Sequence, residues 1–272
     1  MSRPSLLTLT TDFGHKDPFA GIMKGVILSI NPKARIVDIT HGISPHNIRE
    51  AAFVIAGSYP YFPPKSIHVV VVDPGVGSAR RPILVAAQDR YFVGPDNGVF
   101  TPVIKSSEVV IHLTDEKYFL PSRSDTFHGR DIFAPVAAWL SKGIRPSSFG
   151  RKITDPVTIE LPEARKSPSL PFSKGGRAGI VEGEVIYIDG FGNAITNIPR
   201  TFLEEAGADV VVTGAGKKIP LLGFYADARK GKLSAVINSS GFLELFIYMG
   251  NAAEKFKLKT GDGVLIKLRS LT

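Results

Sequence analysis

The sequence contains no cysteine, which excludes disulfide bonds, thiolate nucleophiles and thiolate metal ligands. Its apolar runs are far shorter than the roughly 20 residues that a membrane-spanning helix needs. Residues 1–15 also lack the basic-then-apolar pattern of a secretory signal. We therefore expect a cytoplasmic protein that has no membrane partner.

The basic residues are not concentrated in one part of the chain, although its formal net charge is +8. Such a balance admits an anionic partner. The basic clusters, however, lie far apart and are not interleaved with aromatic residues; they occupy 166–177, 217–218 and 229–232. We expect no nucleic-acid partner, because nucleic-acid-binding proteins usually carry a continuous basic face.

Residues 1–145 alternate between strand patterns and helix patterns. Apolar runs predict strands at 6–10, 35–39 and 69–72, and a spacing of 3.6 residues or helix-start signals predict helices at 17–30, 45–58 and 131–141. This order is typical of an α/β domain. We place that domain at residues 1–165 and expect a central sheet that is largely parallel or mixed.

The texture of the sequence changes after residue 145. Residues 146–178 are rich in Pro, Ser, Gly and Lys and show little periodicity, which predicts a linker or a long surface excursion. Between 179 and 272, short alternating apolar runs are separated by turn residues. They predict a smaller C-terminal antiparallel β domain, either a barrel or a sandwich.

A run of four valines at 69–72 is followed directly by Asp73, Pro74 and Gly75. The run predicts a strand buried on both faces, and Pro and Gly predict a turn at its carboxyl end. Open α/β sheets bind ligands at that end, so Asp73 and the nearby Arg80 are candidate site residues. The alternative is that Asp73 caps a turn and Arg80 merely pairs with it.

Two glycine-rich segments imitate nucleotide-binding loops. The first, at 75–80, lacks the third glycine of a dinucleotide fingerprint and precedes a strand pattern rather than a helix. The second, at 214–218, lacks the first glycine of a phosphate loop and the Ser or Thr after its lysine. We expect no nucleotide-phosphate site at either segment.

Four polar segments lie at predicted strand ends or helix starts. They are Thr-Thr-Asp-Phe-Gly at 10–14, Asp-Pro-Gly-Val-Gly-Ser-Ala-Arg at 73–80, Thr-Phe-His-Gly-Arg-Asp at 126–131 and Asp-Gly-Phe-Gly-Asn-Ala-Ile-Thr-Asn at 189–197. In this order, on these two domain types, they resemble the S-adenosylmethionine hydroxide adenosyltransferases, a family related to the adenosyl fluorinases and chlorinases. The resemblance covers essentially the whole chain.

The resemblance implies that Asp73, Arg80 and His128 form the catalytic set. The halogenases carry tyrosines in place of Asp73 and His128 and no arginine at Arg80. Fluorinases also have a serine at Gly129 for the halide and an extra loop near 100–118. These differences favour water over halide as the nucleophile. The implied activity is hydrolysis of S-adenosylmethionine to adenosine and methionine with no further cofactor; the alternatives are a non-catalytic adenosine or S-adenosylmethionine binder and an adenosyl halogenase.

Such a reaction needs a water molecule that is held opposite the bond from the ribose C5′ to sulfur and that loses a proton. A cationic Arg80 beside this water favours hydroxide, and His128 can accept a proton near neutral pH. A neighbouring cation lowers the pKa of a carboxylate and weakens it as a base. We therefore expect Asp73 to orient Arg80, or to take the proton through a relay with His128.

The resemblance also implies the contacts to the substrate. Asp12, with Phe13 beside it, is expected to bind the ribose hydroxyls; the alternative for Asp12 is a helix cap or a turn. The other expected contacts are Asp189, Ser239 and Glu244 at the methionine end, the Phe191 ring stacked on the adenine, and Asn193 with the backbone of Asn251 and Ala252 at the adenine edge. Without the family, residues 189–193 would be simply a glycine-rich turn.

The remaining polar features have structural interpretations. Asp131 is expected to begin a helix, where a carboxylate complements the helix dipole. The segment 94–98, Gly-Pro-Asp-Asn-Gly, is expected to be a turn, with a role in the site left open. No metal site is expected at His41 and His46, which no helix would align.

Members of the family are homotrimers. Their substrate lies between the N-terminal domain of one subunit and the C-terminal domain of the next. The resemblance implies the same assembly for this chain.

Overall fold

The computed structural model describes residues 6–167, 179–204, 210–214 and 217–268 of the chain. The chain divides into two compact units, Met1–Glu160 and Leu161–Thr272. No helix in the described ranges is both long enough and apolar enough to cross a bilayer.

The first unit is an α/β domain built on one mixed sheet. Its elements are β1 (Leu6–Thr11), α1 (Phe19–Ile30), β2 (Arg35–Thr40), α2 (Ile48–Ser58), β3 (Ile67–Val71), β4 (Pro82–Ala87), β5 (Arg90–Pro95), α3 (Thr101–Ile104), β6 (Ser107–Leu113), α4 (Ala134–Ser141) and β7 (Gly150–Ile153). The seven strands lie in the order β2-β1-β3-β5-β4-β6-β7. The first four of these are parallel, and β4, β6 and β7 pair antiparallel with their neighbours. The predicted α/β class with a mixed sheet is confirmed.

Helices cover both faces of this sheet, which accounts for the uninterrupted valine run of β3. Val69 and Val71 belong to the core that α1 and α4 form on one face. Val70 and Val72 belong to the core that α2 and α3 form on the other. Successive side chains of a strand point to opposite faces, so a strand between two helical layers is apolar at every position.

The carboxyl ends of β1, β2 and β3 lie at one edge of the sheet because these strands are parallel. Asp12 follows β1 directly, His41 follows β2 directly, and Asp73 comes two residues after β3 ends. This edge is where open α/β sheets bind ligands. The fold therefore gathers polar side chains from distant parts of the sequence.

The helices of the first unit differ from the predicted ones at their starts. α1 begins after Pro18, and α2 begins after Asn47, whose side chain caps it. His46 has a φ of 65°, a left-handed conformation that cannot continue a helix. The predicted helix at 131–141 begins as a π-helical turn, Gly129–Phe133, that runs into α4.

The second unit is an antiparallel β domain. Its described elements are β8 (Arg165–Ser167), β9 (Gly179–Ile188), β10 (Ala194–Pro199), α5 (Arg200–Glu204), β11 (Val210–Gly214), β12 (Lys217–Ile219), β13 (Leu233–Ile237), β14 (Phe242–Ile247), α6 (Ala252–Phe256) and β15 (Gly263–Leu268). The strand order is β12-β11-β15-β9-β10-β14-β13, with β8 paired to β9. The end strands meet only through an isolated bridge between Leu221 and Ala235, so the described strands do not close a barrel. β12 stops at Pro220, which has no N–H to continue the ladder.

The predicted linker at 146–178 contains regular structure. β7 lies at the edge of the first sheet beside β6, and β8 pairs with β9 in the second unit. Residues 168–178 lie outside the described ranges. Strands of three or four residues carry too little hydrophobic periodicity to be recognised without their partners.

Candidate active site

The turn after β3 holds a buried ion pair between Asp73 and Arg80. Arg80 Nε donates to Asp73 Oδ1 at 3.1 Å, and Arg80 Nη2 donates to Asp73 Oδ2 at 2.6 Å. The two side chains are only 5% and 6% exposed. This bidentate geometry fixes the orientation of both groups. The pairing that the sequence offered as an alternative is present, but it is buried rather than a surface contact.

His128 completes a three-residue cluster. Its Nδ1 lies 2.9 Å from Arg80 Nη2, the same nitrogen that contacts Asp73. A guanidinium can only donate hydrogen bonds, so Nδ1 must be the acceptor. The neutral imidazole of His128 therefore carries its proton on Nε2. Burial lowers the pKa of His128, and the charge of Arg80 lowers it further, so the neutral form is favoured.

Two loops must approach closely to place Arg80 beside His128. Gly77 has a φ of 78°, and a Cβ atom there would lie 2.3 Å from the backbone oxygen of Asp125. Only glycine meets both conditions. On the other loop, the buried Asp131 carboxylate accepts a hydrogen bond from Ser124 N at 2.8 Å. Asp131 thus closes the loop that carries His128, a task beyond the helix start that the sequence predicted.

Asp73 and His128 line a cavity of about 270 Å³, and Arg80 does not. The other lining residues are Asp12, Phe13, Phe19, Pro45, His46, Val71, Val76, Thr126, Phe127 and Gly129. From the sequence, Arg80 is expected to lie beside the nucleophile. Its guanidinium lies behind the two groups that face the cavity, with its Cζ 5.4 Å from the centroid of the Phe133 ring.

The charges of the buried pair follow from its surroundings. Burial raises the pKa of the Asp73 carboxyl above its usual value, although Arg80 and His128 act in the opposite direction. Burial also lowers the pKa of Arg80, but a guanidinium remains protonated in proteins. Arg80 therefore lowers the pKa of Asp73, as the sequence predicts, while burial acts in the opposite direction and raises it.

Asp12 presents a free carboxylate oxygen at the same cavity. Its Oδ2 accepts a hydrogen bond from His46 N at 2.9 Å. Its Oδ1 has no hydrogen-bond partner among the described residues. Asp12 does not cap α1, which begins after Pro18 without a side-chain cap. The half-buried Asp12 is therefore available to a ligand.

Three aromatic rings form the apolar wall of this cavity. The ring centroids of Phe13, Phe19 and Phe127 lie 5.3 to 5.7 Å apart in edge-to-face pairs. Gly129 lies behind them, and a Cβ there would come within 3.1 to 3.3 Å of Phe127, Met23 and Val71. A serine at this position, as the resemblance implies for the fluorinases, would require these neighbours to move.

The segment 189–193 is a turn held by one carboxylate. Asp189 Oδ1 accepts from the backbone N of Phe191 and of Asn193, both at 2.9 Å, and its Oδ2 accepts from Asn193 Nδ2 at 3.0 Å. Phe191 is 80% exposed. These three residues line a cavity of about 470 Å³ with Tyr225, Phe246, Ile247, Tyr248, Met249 and Gly250. The structure thus supports the turn interpretation of Asp189 and leaves the Phe191 ring accessible.

Glu244 and Ser239 do not line this cavity. Glu244 is buried, accepts from Tyr225 Oη at 2.9 Å and from Asn238 Nδ2 at 3.1 Å, and has a pKa raised by burial. The same contact and burial raise the pKa of Tyr225 to about 12. Ser239 is exposed on the turn between β13 and β14. Glu244 therefore reaches the cavity only through Tyr225.

Asn251 and Ala252 have structural contacts of their own. The Asn251 side chain caps α6 by accepting from Glu254 N at 2.8 Å. It also packs against Gly192, whose φ of 82° and lack of a Cβ make room for it. Ala252 is fully buried. These positions tie the 189–193 turn to the start of α6.

The turn at 94–98 is structural, as predicted. Asp96 is buried and accepts from Arg81 Nε at 2.8 Å and from Val157 N at 2.7 Å. Asn97 Nδ2 donates to the Val72 oxygen at 2.9 Å. Asp96 also helps to hold the charge of Arg80, because its carboxylate raises the pKa of that guanidinium against the effect of burial.

Two further observations concern sites other than the expected one. Within the described ranges, no three His, Asp or Glu side chains lie close enough to hold a metal ion. The charged residues that line a cavity of about 720 Å³ in the second unit are one carboxylate, Asp227, and the cations Lys218, Arg229, Lys232 and Lys255. Because like charges repel, this cavity is a poor place for a sulfonium, despite its size.

Comparisons with known proteins match both units. A family model described as the SAM hydroxide adenosyltransferase N-terminal domain matches residues 7–150, and the C-terminal domain model of the same family matches 183–265. Proteins named (R)-S-adenosyl-L-methionine hydrolase are 37% identical in Methanocaldococcus jannaschii (96% of this chain, 95% of that protein) and 35% identical in Thermus thermophilus (92% and 95%). Named fluorinases match at 27% identity. The crystal structure of an uncharacterized conserved protein from Thermotoga maritima is 35% identical, with a TM-score of 0.85 over 96% of this chain and 99% of that chain.

Proposed function

The chain belongs to the SAM hydroxide adenosyltransferase family, and from this premise we propose that it hydrolyses (R)-S-adenosyl-L-methionine to adenosine and L-methionine. The observation that carries the proposal is the cavity at the carboxyl edge of the sheet, where Asp73 and His128 face inward and share Arg80 behind them. The preference for the R configuration at sulfur rests on the names of the relatives.

The proposed reaction is an in-line displacement at the ribose C5′. The oxygen of water forms a bond to C5′ while the bond from C5′ to sulfur breaks. The electron pair of the broken bond stays on sulfur. The sulfonium thereby becomes the neutral thioether of methionine, so no acid is needed on the leaving side. The attacking water must lose one proton, which carries away the positive charge that the sulfonium brought. A base on the protein accepts this proton.

Asp73 is the base in this proposal. Both of its oxygens face Arg80, but carboxylate oxygens have a second lone pair each, and the side chain lines the cavity. Its pKa, raised by burial, brings it closer to the proton affinity that a general base needs near neutral pH. Arg80 is a positioning residue that holds the carboxylate and the imidazole in one geometry.

His128 donates rather than accepts at the cavity. Its Nδ1 is occupied by Arg80, so the proton on Nε2 remains to bind the oxygen of the attacking water. A water that donates one hydrogen to Asp73 and accepts one from His128 keeps a lone pair free for C5′. Orienting the two reactants in this way is worth at most about 7–11 kcal/mol. A relay from His128 Nδ1 to Asp73 would have to pass through Arg80, which cannot accept a proton.

The family resemblance implies a set of substrate contacts. We assign each side chain a role according to which of its polar atoms or ring faces have no partner in the part of the chain that the structure describes. Asp12 binds the ribose hydroxyls through Oδ1, and Phe13 packs beside it. Phe191 stacks on the adenine, since its ring is exposed. The carboxylate of Asp189 already accepts three hydrogen bonds within its turn, so it acts mainly by presenting Phe191 and Asn193. Glu244 contributes through Tyr225, and Ser239, Asn251 and Ala252 are secondary contacts.

The first test is hydrolysis by the purified protein of a mixture of both sulfonium epimers. We expect the R epimer to be consumed and adenosine and methionine to appear in equal amounts by chromatography. Binding without turnover would leave a nucleoside-binding protein and defeat the proposal.

No further cofactor is proposed, and a cytoplasmic location is proposed because the substrate is a cation that does not cross membranes unaided.

The role of His128 is tested by two substitutions at the same position. His128→Ala should lower kcat about 10²-fold, the usual effect of losing a donor at the reacting oxygen. His128→Gln keeps an N–H near the place of Nε2 and should retain activity within about tenfold of the wild type. If Gln is as inactive as Ala, His128 accepts the proton and the assignment of Asp73 as base is wrong.

We also propose a homotrimer in which the C-terminal domain (179–272) of one subunit completes the site on the N-terminal domain (1–165) of the next. The exposed Phe191 and Met249 support it, because large apolar side chains on turns favour burial by a partner. Light scattering should give about three times the mass of one 29.3 kDa chain. A monomer that hydrolyses the substrate at full rate would contradict the shared site.

A further inference from the structure

A chain of polar contacts runs from the Asp12 loop through two buried side chains to the exposed ion pair of Asp38 and Lys24. Thr11, the last residue of β1, and His41, the first after β2, are both buried, and Thr11 Oγ1 lies 2.9 Å from His41 Nδ1. The backbone N of Phe13 donates to the same Thr11 oxygen at 3.3 Å. At the far end, Asp38 Oδ1 lies 3.2 Å from His41 Nε2.

Charge decides the direction of these hydrogen bonds. Asp38 is held ionised by Lys24, whose Nζ is 2.5 Å from its Oδ2, and the pKa of Asp38 is lowered by this cation and by His41. The carboxylate favours a proton on the nitrogen that faces it, so Nε2 of His41 carries the hydrogen. Burial lowers the pKa of His41, so its other nitrogen, Nδ1, is an acceptor.

With the proton on Nε2, the Thr11 hydroxyl has a hydrogen-bond partner on each side, and His41 Nε2 lies 3.2 Å from Asp38 Oδ1 in an electrostatic contact rather than a well-directed hydrogen bond. The hydroxyl donates to His41 Nδ1 and accepts from Phe13 N. The opposite arrangement, with the proton on Nδ1, would turn the lone pair of an unprotonated Nε2 toward the Asp38 carboxylate at 3.2 Å. Side chains that fix a histidine tautomer in this way also fix the position of its ring.

The contact between Thr11 and His41 lies at one end of the loop that holds Asp12. The backbone N of Gly14 donates to the backbone oxygen of His41 at 2.7 Å, and the backbone N of Ile43 donates to the backbone oxygen of Thr11 at 3.3 Å. The loop that holds Asp12 and Phe13 is therefore attached to residues 41–43 at both of its ends, and at Thr11 the His41 side chain adds a further contact. Asp12 itself lies between these attachments and faces the cavity.

We propose that Thr11 and His41 are positioning residues for the Asp12 ribose subsite, with the Thr11 hydroxyl donating to the neutral Nε2–H form of His41. The proposal rests on the proposed function in taking Asp12 as the ribose contact. Neither residue lines the cavity, so neither touches the substrate. Both act through the loop at 11–14.

The test compares two substitutions that differ by the hydroxyl. Thr11→Val keeps the size and branching but removes the donor, whereas Thr11→Ser keeps the hydroxyl and loses a methyl group. Thr11→Val should raise the Kd for adenosine and the KM for S-adenosylmethionine about tenfold, as expected for one positioned hydrogen bond. The kcat should stay within about twofold, because the loss affects ground state and transition state alike. Thr11→Ser should remain within about twofold of wild type in both constants.

A second measurement does not depend on catalysis. Long-range ¹H–¹⁵N spectra of the wild-type protein report which nitrogen of each histidine is protonated, with His41→Gln used to assign the His41 signals. We expect the Nε2–H form for His41. The Nδ1–H form, or a Thr11→Val protein that binds adenosine as tightly as wild type, would overturn the inference. A wild-type protein that neither binds adenosine nor hydrolyses the substrate would overturn the proposed function instead, and the role of Asp12 with it.

Discussion

Asp73→Asn is expected to lower kcat for S-adenosylmethionine hydrolysis by about 10²–10⁴-fold, the usual contribution of a general base. The asparagine side chain has the same size and still offers one oxygen to Arg80, but it cannot accept the proton of the attacking water. Adenosine affinity should change little, because Asp73 is assigned to the water and not to the nucleoside. Initial rates measure the first effect, and calorimetry with adenosine measures the second.

The pH dependence of the same variant gives a sharper test. The base must be ionised, so kcat/KM of the wild type should fall as the pH drops through the pKa of Asp73, which burial raises. The pKa of His128 is lowered by burial and by Arg80. Its imidazole therefore stays neutral both above and within the pH range in which a histidine usually titrates. The residual kcat/KM of Asp73→Asn should then be flat where the wild-type value falls.

A matched control is Asp89→Asn, which makes the same change on the exposed turn between β4 and β5. Asp89 has a φ of 56°, a conformation that asparagine tolerates well, so the variant should fold and keep wild-type kcat. If Asp73→Asn retains near-normal turnover while His128→Ala is inactive, His128 and not Asp73 takes the proton.

The location of the site could be predicted from the sequence because it depends on local patterns. The valines at 69–72 could only be a strand between two layers, and Asp73 had to follow at its carboxyl end. The place of Asp12 at the end of β1 follows from the same pattern, whereas its role as a ribose contact comes from the family resemblance. The positions of these residues are determined by strand polarity, which alternating elements of an α/β domain reveal.

The direction of the hydrogen bonds at the site could not be predicted, because it depends on contacts between distant loops. Arg80 lies behind the cavity since Gly77 lets its loop approach Asp125. His128 Nδ1 is occupied by Arg80 as a result, which leaves the proton on Nε2 as the hydrogen that this side chain can donate. No spacing in the sequence relates residue 41 to residue 11 either, so the contact between His41 and Thr11 is visible only in the folded chain.

Burial was the second quantity that the sequence could not supply. The sign of the pKa shift at Asp73 depends on whether desolvation or the Arg80 cation is larger, and only the folded chain shows a carboxylate that is 5% exposed. The same holds for the turn at 189–193. Its composition predicts a turn, but only the structure shows that the Asp189 carboxylate accepts three hydrogen bonds from within that turn.

Arg80→Met is expected to lower the free energy of unfolding by about 3–5 kcal/mol, the usual cost of leaving one member of a buried ion pair alone. Methionine fills much of the space over the Phe133 ring, so the loss comes mainly from the Asp73 carboxylate, which would keep its burial without either hydrogen bond. Urea denaturation followed by fluorescence or circular dichroism measures the change. Arg123→Met is the matched control, since the exposed pair of Arg123 with Glu116 should contribute less than about 1 kcal/mol.

The double variant Asp73→Asn, Arg80→Met separates stability from catalysis. Removing the second charge relieves the unpaired carboxylate, so the double variant should be more stable than Arg80→Met alone, and the two single effects should not add. Its activity should stay as low as that of Asp73→Asn, because the base is absent in both. A double variant whose stability loss equals the sum of the single losses would mean that Asp73 and Arg80 do not stabilise one another. In that case Arg80 would not be the group that holds the carboxylate toward the water.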